Sequence, residues 1–160
     1  MVDPALSHLT VSREVALEFF AAFSRFEFAL KVTNYLQPGD GEAKADWIRF
    51  ANAVVNSFDP NRTPELGAAF AYLTGQPLRC LAVQNGALGW FPFNPPPGAP
   101  DAERAVRLIR QVRNNLFHGG KYAPDAQAAP DRDLRLLQSS LILLRELLRL
   151  APAVHAAYVD

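Results

Sequence analysis

The chain has 160 residues, of which 49% are hydrophobic and 20% charged, and its formal net charge is zero. This length predicts one domain, residues 1–160, with a substantial core of its own, and the composition excludes a disordered chain. The zero net charge excludes a protein that holds nucleic acid by bulk charge, and the single cysteine excludes an internal disulfide or a cysteine-rich zinc module.

The sequence also bears on location. Its longest leucine-rich stretch, LILLRELLRL, is interrupted by Arg145, Glu146 and Arg149, so no membrane span is expected. The first residues, MVDPALSH, have no basic segment followed by an apolar run, so no signal peptide is expected. Together with the single cysteine, these features predict a cytoplasmic protein.

Two helices are predicted in the first 60 residues. The first spans roughly 13–36, with Ser12 as its N-cap and Pro38-Gly39 after its end. The second spans roughly 43–58, and in both helices apolar residues recur every three or four positions. The two stripes comprise Phe19, Phe23, Phe26 and Leu30, and then Ala45, Ile48, Ala51, Val55 and Phe58.

A third, short helix is followed by a different kind of segment. Thr63 and Pro64 are an N-cap and a first-turn proline, and they predict a helix that ends near Thr74. Residues 76–100 contain Asn85-Gly86, a strong two-residue turn signal, and therefore predict a small β-hairpin insertion. The predicted cross-strand pairs are Val83 with Leu88 and Leu81 with Trp90.

The fourth and fifth helices complete the predicted fold, an all-α, up-and-down bundle of about five helices with the hairpin inserted. Asp101 is expected to cap the fourth helix, roughly 101–118, which Gly119-Gly120 would end. The fifth runs from about Asp131 towards the C-terminus, and its wide leucine face suits a bundle core, a core with a dimer interface, or an adaptor surface. Its two stripes comprise Leu134, Leu137, Leu141, Leu144 and Leu148, and then Leu136, Leu143, Leu147 and Leu150.

The charges are not distributed evenly along the chain. Residues 1–60 carry a balance of −3, whereas residues 101–121 carry +3. The basic patch coincides with the stretch RQVRNNLFHGGKY, which runs from the fourth helix into the two glycines. A solvated helix face is the simplest explanation of such a patch, and a binding site is the alternative.

Helical geometry separates the residues of this stretch. Arg113 falls on the apolar side of the fourth helix, while Asn114 and His118 are four apart and adjacent on the polar side, with Arg110 continuing their row. Arg113 and His118 are about 140° apart around an ideal helix. They meet only if Arg113 swings round, if the last turn unwinds at Gly119, or if a second copy brings them together.

His118 is the candidate acid or base, because a histidine can exchange a proton near neutral pH. A helix C-capping histidine is the alternative for the same position. Lys121 and Tyr122 follow the glycines and are candidates for contacting phosphate, although a solvated loop explains them equally well.

Other residues give weaker indications. Helix capping explains the acidic residues near the fifth helix better than a metal site does, so no metal or other cofactor is expected. His8 and His155 are expected to be surface residues. Three aromatic residues in the insertion could stack on bases, but packing at the edge of the core is the commoner role. The acidic residues are Asp125, Asp131 and Asp133, and the aromatic residues are Trp90, Phe91 and Phe93.

The run Arg113-Asn114-Asn115-Leu116-Phe117-His118 resembles the signature of the HEPN superfamily. That signature has an arginine, a polar residue directly after it, and a histidine four to six residues beyond the arginine. HEPN domains are all-α bundles of about this length with the motif at the end of a late helix, so the resemblance covers most of the chain and leaves out the hairpin insertion. One HEPN variant has a tyrosine two residues after the histidine, and this chain departs from it because Gly120 stands there.

The resemblance implies metal-independent cleavage of RNA by a homodimer with a composite site. His118 would be general base or acid, Arg113 would bind the scissile phosphate, and Asn114 would orient the histidine or hold the helix end. Arg110, Lys121 and Tyr122 would bind substrate. The products would be a 2′,3′-cyclic phosphate and a 5′-hydroxyl, in a defence or toxin–antitoxin setting with a cognate antitoxin. A non-catalytic module that binds RNA or nucleotide, or that serves as a dimerisation scaffold, is the alternative.

Overall fold

A computed structural model of the chain describes residues 3, 6, 9–117 and 130–160. These residues form six helices and a two-stranded antiparallel sheet, so the fold is mostly helical with a β-hairpin, as expected, but with one helix more than the five predicted. In chain order the elements are α1 (Arg13–Val32), α2 (Trp47–Val54), α3 (Pro64–Gly75), β1 (Leu78–Gln84), β2 (Ala87–Phe93), α4 (Asp101–Phe117), α5 (Pro130–Arg149) and α6 (Pro152–Val159).

Helix α1 begins as predicted and ends earlier. The Ser12 hydroxyl accepts a hydrogen bond from the Val15 amide, which satisfies one of the free N–H groups at the helix start. The predicted end near residue 36 is wrong, because Thr33 caps the helix and Asn34 has a φ of 70°. Asparagine tolerates this left-handed conformation better than most residues, and it turns the chain away from the helix. All four predicted stripe residues are buried.

Helix α2 is about half as long as predicted. Asp46 caps it by accepting a hydrogen bond from the Arg49 amide, and the residue before the cap, Ala45, pairs with Leu36 in an isolated β-bridge. The bridge uses extended backbone that the predicted range of 43–58 had assigned to the helix. At the other end, the helix stops at Val54 and a turn follows.

Aromatic packing joins α1 to α2. The Trp47 ring stacks on Phe23 and on Phe26, with ring centroids 5.0 Å apart in both pairs. Phe50 packs edge-on against Phe26 at 5.4 Å. Trp47, Phe26 and Phe50 are almost completely buried, so this cluster fixes α2 against α1.

The third helix and the hairpin follow the sequence prediction closely. Thr63 accepts a hydrogen bond from the Leu66 amide, and Pro64 occupies the first turn of α3. In the hairpin, Val83 pairs with Leu88 and Leu81 with Trp90, which confirms the register predicted from the Asn85-Gly86 turn. Both turn residues have positive φ, 51° for Asn85 and 77° for Gly86, as a two-residue hairpin turn requires.

Helix α5 supplies much of the core. Its two leucine stripes are buried or half-buried within one copy of the chain, with Leu143, Leu144 and Leu147 at 2% exposure or less. The wide apolar face is therefore explained by contacts inside the chain, and the adaptor surface considered for it is not available. The leucines pack against α1, α3, α4 and α6.

The sixth helix results from a break that the sequence prediction missed. The fifth helix ends at Arg149, and Pro152 begins α6 two residues after Leu150. Proline is well suited to a first helical turn, whereas inside a helix it removes a hydrogen bond. Helix α6 packs back on α1, where the Arg25 guanidinium donates to the carbonyl oxygens of Ala157 and Tyr158.

A buried carboxylate links distant parts of the chain. Glu146 on α5 has a side chain only 3% exposed, and it accepts two hydrogen bonds from Arg62, which precedes α3, and two from Arg149. The hydrogen bonds from Arg149, reinforced by those from Arg62, lower the Glu146 pKa from 4.5 to about 2, although burial opposes the shift. This ion network ties the α2–α3 turn to the end of α5.

None of the helices in the described parts of the chain is long and apolar enough to cross a membrane.

Candidate functional site

Helix α4 carries the residues singled out in the sequence, and it is held in place along one face. Its buried side includes Ala105, Ile109 and Val112, which pack into the core. Asp101 was expected to be the N-cap, but it is the first helical residue, and its carboxylate accepts a hydrogen bond from the Arg104 side chain instead. The helix therefore presents a defined polar face, with its C-terminal end at Phe117.

Two buried amides anchor the last turns of α4 to the hairpin. The side chains of Gln111 and Asn115 both donate to the carbonyl oxygen of Arg79 in β1, at 3.1 and 3.0 Å. The Gln111 amide also donates to the Asn115 side-chain oxygen at 2.7 Å. These residues were not predicted as a functional pair. Their spacing of four on the otherwise apolar side of α4 was the available sequence signal.

Arg113 lies on the apolar side of α4, as helical geometry predicted. Its guanidinium carbon is 5.4 Å from the centroid of the Phe23 ring and 5.0 Å from that of Phe117. One Nη donates to the side-chain oxygen of Asn114 at 3.1 Å. The buried Nε finds no hydrogen-bond partner among the described residues, so two aromatic rings and one hydrogen bond to an uncharged amide hold the cation.

The Phe23 ring beneath Arg113 is held by the core. Phe23 is 4% exposed, and the Trp47 ring stacks on it in the α1–α2 cluster. Phe117, by contrast, is half-exposed and tilts against Phe20 of α1 at 5.5 Å. The guanidinium therefore lies between a fixed ring of the core and a ring at the surface.

The arginines of α4 differ in whether they have an acidic partner. Arg104 pairs with Asp101 at 3.0 Å and Arg107 with Glu103 at 2.7 Å. Arg110 and Arg113, one and two turns further on, have no carboxylate within ion-pair distance among the described residues. The two cations nearest the end of α4 are thus the two that form no ion pair with the described acidic side chains, and they can bind another anion.

Arg110 lies among several charges without forming a close pair. Burial lowers its pKa, and the neighbouring Arg107 and Arg113 lower it further, while Glu27 and Asp46 act in the opposite direction. An arginine remains protonated at neutral pH whatever this shift. The consequence is a concentrated positive potential over the last turns of α4, where the helix dipole alone would be negative.

Three of the predicted site residues lie outside the described part of the chain. These are His118, Lys121 and Tyr122. The structure brings together Arg110, Arg113 and Asn114 on α4, and the predicted relation between Arg113 and His118 remains a prediction. His8 and Asp125 also lie outside the described residues.

The weaker candidates form no second site among the described residues. Asp131 and Asp133 lie in the first turn of α5, where negative charge is stabilised by the helix dipole, and Thr10 donates a hydrogen bond to Asp133. Within the described residues, no three potential metal ligands cluster. His155 is exposed, and Cys80 is a free thiol in β1. The aromatic residues of the hairpin are half-buried.

A shallow groove of about 480 Å³ lies between α1, α5 and α6, away from the arginines of α4. Leu141, Leu144 and Leu148 are among the residues that line it, and the exposed ion pair between Glu18 and Arg145 borders it. It contains none of the site residues predicted from the sequence. The candidate site is therefore the end of α4 and not the groove.

No protein-family model, curated protein or solved structure matches the chain.

Proposed function

We propose that the chain is a metal-independent endoribonuclease of the HEPN type, an up-and-down helical bundle that acts as a cytoplasmic homodimer. The observation that carries the proposal is the state of the arginines on α4. Arg104 and Arg107 are paired with acidic neighbours, whereas Arg110, just before the R-N-x-x-x-H motif, and Arg113, its first residue, have no carboxylate within ion-pair distance among the described residues. A phosphate is the anion that such a pair of cations suits, because guanidinium groups bind phosphate oxygens through two parallel hydrogen bonds.

The way Arg113 is held is compatible with this role. Its present contacts are two rings and an uncharged amide, each weaker than a bidentate pair between the guanidinium and an anionic phosphate. A phosphate can therefore displace Asn114 from the guanidinium without breaking an ion pair. Once displaced, the Asn114 side chain is free to hold the motif histidine, which follows four residues later in the sequence.

In the proposed reaction, the ribose 2′-hydroxyl attacks the adjacent phosphorus. His118 accepts the hydroxyl proton or protonates the leaving 5′-oxygen, and Arg113 stabilises the charge that develops on the phosphate. The P–O5′ bond breaks as the bond to the 2′-oxygen forms, which leaves a 2′,3′-cyclic phosphate and a 5′-hydroxyl. Arg110, Lys121 and Tyr122 bind the flanking RNA, and the second copy completes the site.

The test is cleavage of RNA by the purified protein in EDTA. We expect Arg113→Ala and His118→Ala to reduce the rate at least 100-fold, in keeping with the loss of one charge-stabilising or proton-transfer group. The matched control is Arg104→Ala, which removes an already paired arginine from the same helix and should cut within about twofold of wild type. Arg113→Lys keeps the charge without the planar fork and should remain well below wild type.

A chimeric substrate makes the test specific for the chemistry. An oligonucleotide with 2′-deoxyribose at the scissile position should not be cut, and the RNA product should carry a 2′,3′-cyclic phosphate. Cleavage of the deoxy substrate, or equal activity of wild type and Arg113→Ala, would refute the proposal.

The zero net charge and the packed state of Arg113 favour a second candidate, a non-catalytic module that binds RNA or nucleotide or provides a dimerisation scaffold. RNA binding that does not require the 2′-hydroxyl, together with no cleavage, would identify that function.

A further inference from the structure

The outward face of α1 has an apolar stripe that the described chain covers only in part: Phe117 contacts Phe20, and the Arg25 guanidinium lies over the Phe28 ring. We define the α1 stripe as Leu17, Phe20, Ser24, Phe28 and Val32, spaced three or four residues apart, so that they share one side of the helix. Its four apolar members are between 46% and 66% exposed. The opposite side of α1 carries the buried phenylalanines of the core, so this helix is apolar on two faces.

We infer that the α1 stripe is the surface on which a second copy of this chain docks, with the two α1 helices antiparallel about a twofold axis at Ser24. The pattern is nearly symmetric about that residue, since Phe20 and Phe28 each lie four positions from it. An antiparallel pair would set Phe20 against the partner's Phe28, and Leu17 near the partner's Val32. A twofold interface requires such a self-complementary surface.

Ser24 suits the centre of a tight helix pair. Its side chain is small, which lets two helices approach closely. Its hydroxyl already donates to the Phe20 carbonyl oxygen at 2.7 Å within the same helix. Burial against a second copy therefore leaves this donor satisfied, whereas an unsatisfied hydroxyl would oppose association.

The charges along α1 complement themselves in the same antiparallel arrangement. The first half of the helix, residues 13–22, has a balance of −1, and the second half, residues 23–32, has a balance of +1. Antiparallel pairing places each half against the half of opposite sign. Parallel pairing would place like halves together, so the formal charges weakly favour antiparallel over parallel pairing, with Glu18 already paired with Arg145 of the same copy.

The exposed apolar area is sufficient for a dimer. The four apolar stripe residues and the adjoining Phe117 expose on the order of 500 Å², taking roughly 150–250 Å² for a whole aromatic side chain. A standard interface buries about 800 Å² on each partner, of which about 65% is apolar in a homodimer. The stripe and Phe117 therefore account for the apolar part of such an interface.

The arrangement connects the interface to the candidate site. Phe117, at the end of α4, contacts Phe20 in the stripe, so the motif of each copy borders the interface. In the antiparallel pair, Phe20 and the partner's Phe20 are eight residues apart along the helix direction, about 12 Å. The C-terminal ends of the two α4 helices then reach one surface, and each contributes Arg113. This consequence for catalysis rests on the function proposed above, but the docking itself does not.

Crosslinking at the twofold axis tests the inference directly. Ser24→Cys in a Cys80→Ser background should form a disulfide-linked or short-crosslinker dimer of twice 17.6 kDa at micromolar concentration. The matched control is Leu88→Cys in the same background, at the hairpin tip, because Leu88 is exposed as Ser24 is. Equal crosslinking of the two variants, or none at position 24, would overturn the twofold at Ser24.

Phe28→Glu supplies the second arm, because Phe28 is exposed and lies far along α1 from the motif. Light scattering should find wild type dimeric and Phe28→Glu monomeric, with the helical circular dichroism of the folded chain retained. Val83→Glu at the hairpin tip should stay dimeric. A monomeric wild type or a dimeric Phe28→Glu variant would refute the interface. So would a Phe28→Glu variant that binds RNA more weakly than wild type while it keeps the mass of a dimer.

Cleavage assays separate this inference from the proposed function. A dimer that responds to Phe28→Glu but never cuts RNA supports the interface and refutes the ribonuclease. Conversely, a monomeric Phe28→Glu that cuts RNA at the wild-type rate refutes the role of the interface in catalysis and leaves the ribonuclease standing. The expected result is a loss of at least tenfold in cleavage by the monomeric variant.

Discussion

Replacing Glu146 with glutamine should destabilise the protein by an amount that depends on pH. The substitution keeps the shape of the side chain, but it removes the negative charge of the carboxylate that accepts four hydrogen bonds from Arg62 and Arg149. It also places an amide N–H₂ against guanidinium donors. The core around α5 stays filled, so the effect reports on the ion network and not on packing.

The pKa gives the size of the effect. A carboxyl with a pKa of about 2 in the folded protein and 4.5 in the unfolded chain stabilises folding by at most about 3.4 kcal/mol at neutral pH. Arg62 and Arg149 have side chains 43% and 49% exposed, so solvent screens part of this interaction. We therefore expect Glu146→Gln to lower the free energy of unfolding by about 2 kcal/mol at pH 7.

The direction of the pH dependence follows from the lowered pKa. The contribution of Glu146 is complete above pH 4.5 and is lost as the pH falls towards 2, because the unfolded chain takes up the proton first. Urea unfolding of wild type and Glu146→Gln at several pH values measures the difference in their free energies of unfolding. The titration of the other carboxyls is common to both proteins and cancels in this difference. Guanidinium chloride is unsuitable because it screens ion pairs.

A matched substitution shows whether burial matters. Glu18→Gln also removes a carboxylate from an arginine, but the Glu18–Arg145 pair is exposed on both sides, and it should cost less than about 0.5 kcal/mol. An equal cost of Glu146→Gln at pH 3 and at pH 7, or a cost no larger than that of Glu18→Gln, would contradict a stabilising role for the buried charge.

Three further substitutions test local features of the fold. Thr63→Ala should cost about 1 kcal/mol in urea unfolding by removing the α3 cap, and Thr63→Ser should restore most of it. Asn115→Ala should cost about 1–3 kcal/mol and speed hydrogen exchange in β1, because it removes a buried donor to the Arg79 carbonyl; unchanged exchange would contradict the anchoring role. Gly86→Ala should lower the free energy of unfolding by about 1 kcal/mol because of its positive φ, since an added Cβ meets no atom within 4 Å. Gly75 has the same free space and no positive φ, so Gly75→Ala should not be destabilising.

Much of the fold could be predicted because periodicity and turn chemistry are local. The apolar spacing of α1 identified its buried face, and Asn85-Gly86 fixed the register of the hairpin. The ends of α1 and α2 were misplaced because a left-handed Asn34 and the Leu36–Ala45 bridge depend on contacts between the two helices. The break before Pro152 was missed because the leucine pattern continues up to it.

The sequence predicted those features of the candidate site that depend on the spacing of residues along α4 alone. Helical spacing alone put Arg113 on the apolar side, and the structure places its guanidinium on Phe23 and Phe117. Spacing could not identify Phe23 as the ring beneath it, because that contact joins α1 to α4. Nor could it show that Arg104 and Arg107 are paired while Arg110 has no close acidic partner in the described part of the chain, since the pairing depends on side-chain geometry.

The stacked position of Trp47 has a spectroscopic consequence. The Trp47 indole stacks on the Phe23 ring, and the Arg113 guanidinium lies over the same ring. Trp47 is 2% exposed, whereas Trp90 lies half-buried in the hairpin. With Trp90 replaced by phenylalanine, we expect the fluorescence of the remaining indole to respond to changes at the Phe23 ring, over which Arg113 lies. Ligand titrations can then follow the movement of Arg113 without an attached dye.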